Sequence, residues 1–231
     1  MTNLNGDLPV FAAFPQPEGA RPVPWEDPDV PRLAGFFLTL KKILLKPEEF
    51  FKDLPREGWA EALAFGLIVG TTGLLALIYW KMLLGVEVSR HLAQMPGASQ
   101  ILTLGMGAMI AGMVLAPLII LASLGLGSLG LWVGTALMSG GLPSFAHLVR
   151  VTCYAQAGLV AALVPFLGGP AAGLWVVYLT YRGVKTAFSL STGRALGVLA
   201  ISLGLKVFCV MLFLGSLVGL MGLTGFWLLW R

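Results

Sequence analysis

The chain has 231 residues, 57% of them hydrophobic and only 11% charged, with a formal net charge of +4. Soluble domains carry about 25% charged residues, and ten of the eleven acids here lie at or before Glu61, which excludes a soluble globular domain for the sequence beyond Trp59. The basic residues sit singly at the ends of apolar runs, as in membrane proteins, so the positive charge does not point to nucleic acid as a partner.

Residues 1–31 contain Pro9, Pro15, Pro17, Pro22, Pro24 and Pro28 and lack the basic start and apolar core of a secretory signal. They read as a disordered, solvated cytoplasmic tail. Residues 32–58 read as short amphipathic helices lying in the cytoplasmic interface. In "LAGFFLTLKKILLK", 33–46, Leu33, Phe36, Phe37, Leu40, Ile43 and Leu44 recur at helical spacing, with Lys41, Lys42 and Lys46 elsewhere. Packing of this stretch on the ends of the spans is compatible with the same pattern. Pro47 starts a second short helix, with Glu48 and Glu49 favourable beside its N-terminus. Phe36, Phe37, Phe50, Phe51 and Trp59 are the expected interfacial anchors.

From Trp59 the chain is a series of apolar runs, and residues 59–231 are expected to form five transmembrane helices. The first covers about 59–84, with Tyr79 and Trp80 at its far edge, and the polar stretch 85–100 follows. The second run, about 101–139, would extend roughly 55–60 Å as a helix against a hydrocarbon core of about 30 Å. It reads as one long helix kinked near Pro117, with two short crossings turning at "SLGLGSLG" as the alternative. The third, fourth and fifth spans are expected at about 147–166, 170–186 and 195–223, separated by "LGGP" and "SLSTGR". With the N-terminus in the cytoplasm, eleven Lys and Arg flank the spans on that side and three, Lys81, Arg90 and Arg231, on the other. The bias favours five spans, with the C-terminus across the membrane. Cys153 and Cys209 fall inside apolar runs and read as small buried hydrophobes.

Three groups of side chains are candidates for function. Lys206 lies about 16 Å into the last span by helical rise, where a cation binds an anionic ligand or lipid headgroup, or snorkels. Arg150 and Tyr154 share one face of the third span. Lys41, Lys42, Lys46, Arg182, Lys185 and Arg194 make a basic cytoplasmic collar suited to anionic lipid. His91 and His147 have no partner at metal-ligand spacing. No phosphate loop, nucleophile elbow or pair of intramembrane carboxylates occurs, so no enzyme, cofactor or metal is expected. Small-xxx-small pairs, Gly66 with Gly70 and Gly130 with Gly134 among them, suit close helix contacts.

"VPWED", 23–27, followed by "FFLTLKKILLKPEEFFKDLP", resembles the cytoplasmic lead-in of bacterial members of the Yip-domain family. "SFAHLVRVTCYAQAGLVAALVPFLGG" and "LWVVYLTYRGVKTAFSLSTGRAL" are similar to its third span and to its fourth span with the following loop. The resemblance covers roughly 23–222. It implies a five-span bundle with a cytoplasmic N-terminus in the bacterial inner membrane. For the eukaryotic relatives, the Ypt/Rab GTPase-interacting membrane proteins, it implies trafficking and membrane shaping; their Asp-Leu-Tyr-Gly-Pro type motif does not occur here. The resulting expectation is a non-enzymatic scaffold or membrane-organising protein whose partners are membrane lipids and other membrane proteins. A transporter with a cavity near Lys206 and a GTPase-interacting adaptor are the alternatives.

Overall fold

The computed structural model describes residues 23–56, 58–92 and 98–229. The expected tail through Pro22, and 93–97 of the polar stretch, lie outside the described residues. All regular structure among the described residues is helical.

Pro31 opens α1 (Arg32–Leu45), its carbonyl accepting from the Gly35 N–H at 2.8 Å. The helix stops at Lys46, φ −136°, because the following proline disfavours helical torsions at the residue before it. Pro47 then begins α2 (Pro47–Lys52), where its missing N–H costs nothing, and Glu48 and Glu49 occupy the first turn. Gly58, at φ +72°, turns the chain into α3 (Ala60–Leu92). Its 33 residues reach about 50 Å by helical rise, so the helix continues well past the expected end near Leu84.

The second apolar run forms α4 (Ala98–Val114) and α5 (Ala116–Ser139). The junction at Leu115 stands two residues before Pro117, which has no N–H to offer Met113. The ladder bridges the gap through Leu115 N–H to the Ala111 carbonyl and Ile119 N–H to the Leu115 carbonyl, both at 2.9 Å. α4 packs along α3 rather than folding back on α5, so the run follows one kinked path. Gly140, left-handed at φ +73°, ends α5. α6 (Phe145–Ala155), capped by Ser144, runs on as a 3-10 helix over Gln156–Leu163. The looser rise of the 3-10 part brings Phe145–Leu163 to roughly 32 Å. α7 (Gly168–Ala187) and α8 (Thr192–Leu229) complete the order.

The chain is an all-α, polytopic helical membrane protein. Among the described residues, four segments are long and apolar enough to cross a bilayer: Ala60–Gly85, Ala116–Ser139, Phe145–Leu163 and Thr192–Phe213. The expected fourth span, α7, is not among them. Its 20 residues suffice in length, but Tyr178, Tyr181, Arg182 and Lys185 crowd its second half and lower its apolarity.

Close helix contacts are made where side chains are absent. A Cβ on Gly134 would lie 2.9 Å from the Val198 carbonyl oxygen, and one on Gly130 2.9 Å from Ser202 Cα, so α5 and α8 meet backbone to backbone. Gly66 does the same against Cys153, joining α3 to α6. The core lies towards the end of the bundle where the N-terminal segment enters. It gathers Ile43, Phe50, Phe51 and Leu54 from the lead-in with Phe65, Leu148, Val151 and Tyr154 from the spans.

Two expectations for the lead-in are corrected. Residues 23–31, read as solvated tail, fold as turns, with Val23 buried and accepting from the N–H groups of Glu26 and Asp27. Phe50 and Phe51, read as interfacial anchors, are both buried, because α2 packs on α7 and turns the pair inward: Phe51 abuts Gly183, and Phe50 stacks edge-on to Tyr154.

Candidate functional site

α6 positions Arg150 and Tyr154 one helical turn apart at the entry end of the bundle, both buried. The Arg150 guanidinium donates through Nη2 to both carboxylate oxygens of Glu26, at 2.7 and 2.6 Å, and through Nη1 to the Gly58 carbonyl. The Tyr154 hydroxyl donates to the same Glu26 carboxylate. Phe50 and Phe65 stand against the Tyr154 ring at 5.1 and 5.2 Å between centroids. Glu26 belongs to the N-terminal segment, so the cluster is a latch that fixes a strap of chain to the third candidate span.

The strap is held at further points. The Trp25 backbone N–H donates to Thr39 Oγ1 at 3.0 Å, and its indole N–H to the Glu61 carbonyl at 2.8 Å. The Trp25 ring packs edge-on to Phe36 and Phe65, with Arg32 over its face and paired to Glu61 at 3.0 Å. Gly35 lets the strap close down on α1: a Cβ there would collide with the Pro24 carbonyl. His147, at the start of α6, is buried with Nδ1 3.3 Å from the Pro55 carbonyl and its ring against Phe188. A buried ion pair of this kind holds a geometry; removing one partner leaves the other charge uncompensated.

α1 therefore has two faces of different use. Gly35, Thr39 and Ile43 are buried against the bundle, with Phe36, Leu40 and Leu44 partly so. Leu33, Phe37, Leu38 and Leu45 remain exposed, at 72%, 57%, 50% and 70%. The single apolar stripe expected from the sequence is thus split. Phe36 serves the core, while Phe37 and, at the start of α3, Trp59 stay exposed.

The basic collar is not one continuous surface. Arg182 pairs with Glu48 and lies over the Tyr178 ring, stapling α2 to α7. Lys46 pairs with Glu49 at 3.1 Å, and Lys42 lies 6.0 Å from the centre of the Phe50 ring. Lys185 donates to Thr192 Oγ1 at 3.0 Å across the α7–α8 turn. Lys41 and Arg194 are exposed.

Lys206 is separate from the latch. Its stem lies against Gly127 of α5, where an added Cβ would sit 2.9 Å from Nζ, with Thr152 of α6 beside it. It makes no ion pair among the described residues. Two apolar cavities flank α3, one near Trp59 and Leu63, the other between Tyr79, Trp80 and Met113, and Lys206 lines neither. Among the described residues no group of three His, Cys, Asp or Glu stands ready to hold a metal.

Glu26 and Trp25 were missed as site residues in the sequence, although "VPWED" carries both. The available signal was electrostatic. No acid occurs beyond Glu87, so a buried Arg150 had to draw its counter-charge from the N-terminal half.

A family model described as Yip1 domain matches residues 41–215. No curated protein and no solved structure matches the chain.

Proposed function

The chain belongs to the Yip1-domain family, and on that footing we propose that it organises the membrane around it, without enzymatic activity, through contacts with anionic lipid and with other membrane proteins. In this reading it is a multi-pass protein of the bacterial inner membrane with a cytoplasmic N-terminus and a fifth crossing in α7. The observation that carries the reading is α1. The helix is fixed to the bundle along one face, and its free face combines Leu33, Phe37, Leu38 and Leu45 with Lys41. An apolar face edged by lysine settles at the headgroup boundary of an anionic leaflet. Because the strap and latch fix the other face, the wedge is held at a set angle to the spans.

The test uses the full chain in vesicles of phosphatidylglycerol and phosphatidylethanolamine. A spin label at Leu38→Cys, with Cys153 and Cys209 replaced by Ala, is expected to be relaxed by oxygen and shielded from a water-soluble relaxant. A water-exposed label would sink the reading. A loss of vesicle remodelling in Phe37→Gln/Leu38→Gln, with spans intact, links the wedge to membrane organisation.

A second reading, transport of a small anionic molecule or lipid, draws on Lys206, a cation with no ion partner among the described residues. Flux in proteoliposomes that is lost in Lys206→Met would favour it over the organising role.

A further inference from the structure

The cavity at the start of α3 has a volume of about 320 Å³ and is walled by α3, α5 and α6, at the small end of the roughly 300–1,000 Å³ range of ligand pockets. Three candidate spans supply its walls, so in a bilayer its open side meets hydrocarbon. Burial sets its direction: Trp59 and Phe145 at one part are 51% and 47% exposed, while Leu124 and Ser128 at another are buried. The space exists because Gly125 and Ala146 are small. A Cβ built on Gly125 meets nothing within 4 Å.

We propose that this groove is a binding site for one acyl chain of a membrane phospholipid. The lining fits hydrocarbon and little else. Its one hydroxyl, on Ser128, already donates its proton to the Leu124 carbonyl at 2.8 Å, so it has none left to donate to a polar ligand. Trp59, in the turn before α3, is the residue type that settles at headgroup depth. A chain entering beside it passes from the interface towards Leu124. An unfilled groove of this size would forfeit the dispersion contacts of its walls, and a lipid tail restores them. The proposal is independent of where α1 lies.

The experiment takes the full-length protein in vesicles doped with a phospholipid that carries a photoactivatable diazirine on its acyl chain, followed by peptide mapping of adducts. Adducts are expected on Leu63, Gly125 and Phe145 in clear excess over the lipid-facing stretch Val207–Phe213. Gly125→Leu, whose Cβ enters open space, should fill the groove and lower groove adducts several-fold while leaving those on α8 unchanged. Gly173→Leu, on α7 in equally open space, is the control and should change neither. Uniform labelling, or groove adducts that survive Gly125→Leu, would overturn the site. So would the absence of lipid adducts there together with cross-links to a second copy, which would assign the groove to an interface.

Discussion

The third and last candidate spans differ more than any other pair. In an apolar 18-residue stretch of Phe145–Leu163, 67% of the residues are buried inside the protein; in the corresponding stretch of Thr192–Phe213, only 11% are. Of the four candidate spans, the less apolar is the more buried and the more apolar is the less, with Ala60–Gly85 and Ala116–Ser139 between them in both respects. Lipid is as apolar as leucine, so apolarity does not drive a helix into a membrane protein's interior. The inside is won by specific contacts. On α6, Arg150 and Tyr154 bind Glu26 of the strap, while Thr152 and, just beyond the helix end, Gln156 satisfy their buried polar groups on carbonyls of their own segment; the exposed part of α8 offers Val207, Phe208, Met211 and Phe213 to the bilayer.

Breaking the latch should have the largest effect, because it strikes the inward helix at its buried charge. Arg150→Ala leaves the Glu26 carboxylate, 15% exposed, without its partner, and is expected to cost about 3–5 kcal/mol. Thermal unfolding in mild detergent measures it. Replacing both residues, Glu26→Leu with Arg150→Leu, should cost less than either single change. A double variant as damaged as Arg150→Ala would show that the pair is not the seat of the effect. Next comes the seam where the outward helix touches the bundle. Gly134→Leu forces a side chain against the Val198 backbone and should cost about 1–3 kcal/mol, measured the same way. Gly125→Leu, in open space, should cost far less. Equal losses would mean that α5 and α8 are not packed backbone to backbone.

The comparison also explains what could be read from sequence. The helices were legible because each is an apolar run between breaks whose chemistry is local: Pro47 after Lys46, Pro117 inside the second run, Gly140 at the end of α5. The kink needed only the missing N–H of Pro117. The latch was not legible as a contact, since Glu26 and Arg150 are separated by 124 positions and no periodicity links them. The two faces of α1 were merged into one stripe for a related reason. Core and lipid both accept Leu and Phe, so residue type alone does not separate the apolar positions of α1 that pack on the bundle from those left exposed. Arg182 was read as an open cation because nothing in the sequence brings the distant Glu48 within reach of it; for Lys46 the signal was present, since Glu49 stands only three positions on.

A subtler change tests the strap without touching the ion pair. Thr39 is buried and accepts the Trp25 backbone N–H. Thr39→Val keeps the shape and removes the acceptor, at an expected cost of about 1–2 kcal/mol. Limited proteolysis between residues 23 and 31 should quicken with it. Unchanged cleavage would mean that the Glu26 latch and the Trp25 side-chain contacts hold the strap without the Thr39 bond.

The smallest effect is expected on the outward helix, and it bears most directly on the comparison. Phe208 is as large as Phe65 but 60% exposed where Phe65 is wholly buried. In Phe208→Ala the lipid or detergent chains that covered the ring close over the shorter side chain, so no cavity forms and the loss should stay within about 0.5 kcal/mol. The same truncation at a core position leaves a void that rigid neighbours cannot fill. A loss at Phe208 comparable to that of a core aromatic, appearing only in native-like membranes and vanishing on dilution, would mean that a second protein surface covers α8. Its low burial would then belong to the isolated chain, and the contrast with α6 would narrow to one between contacts made within the chain and contacts made outside it.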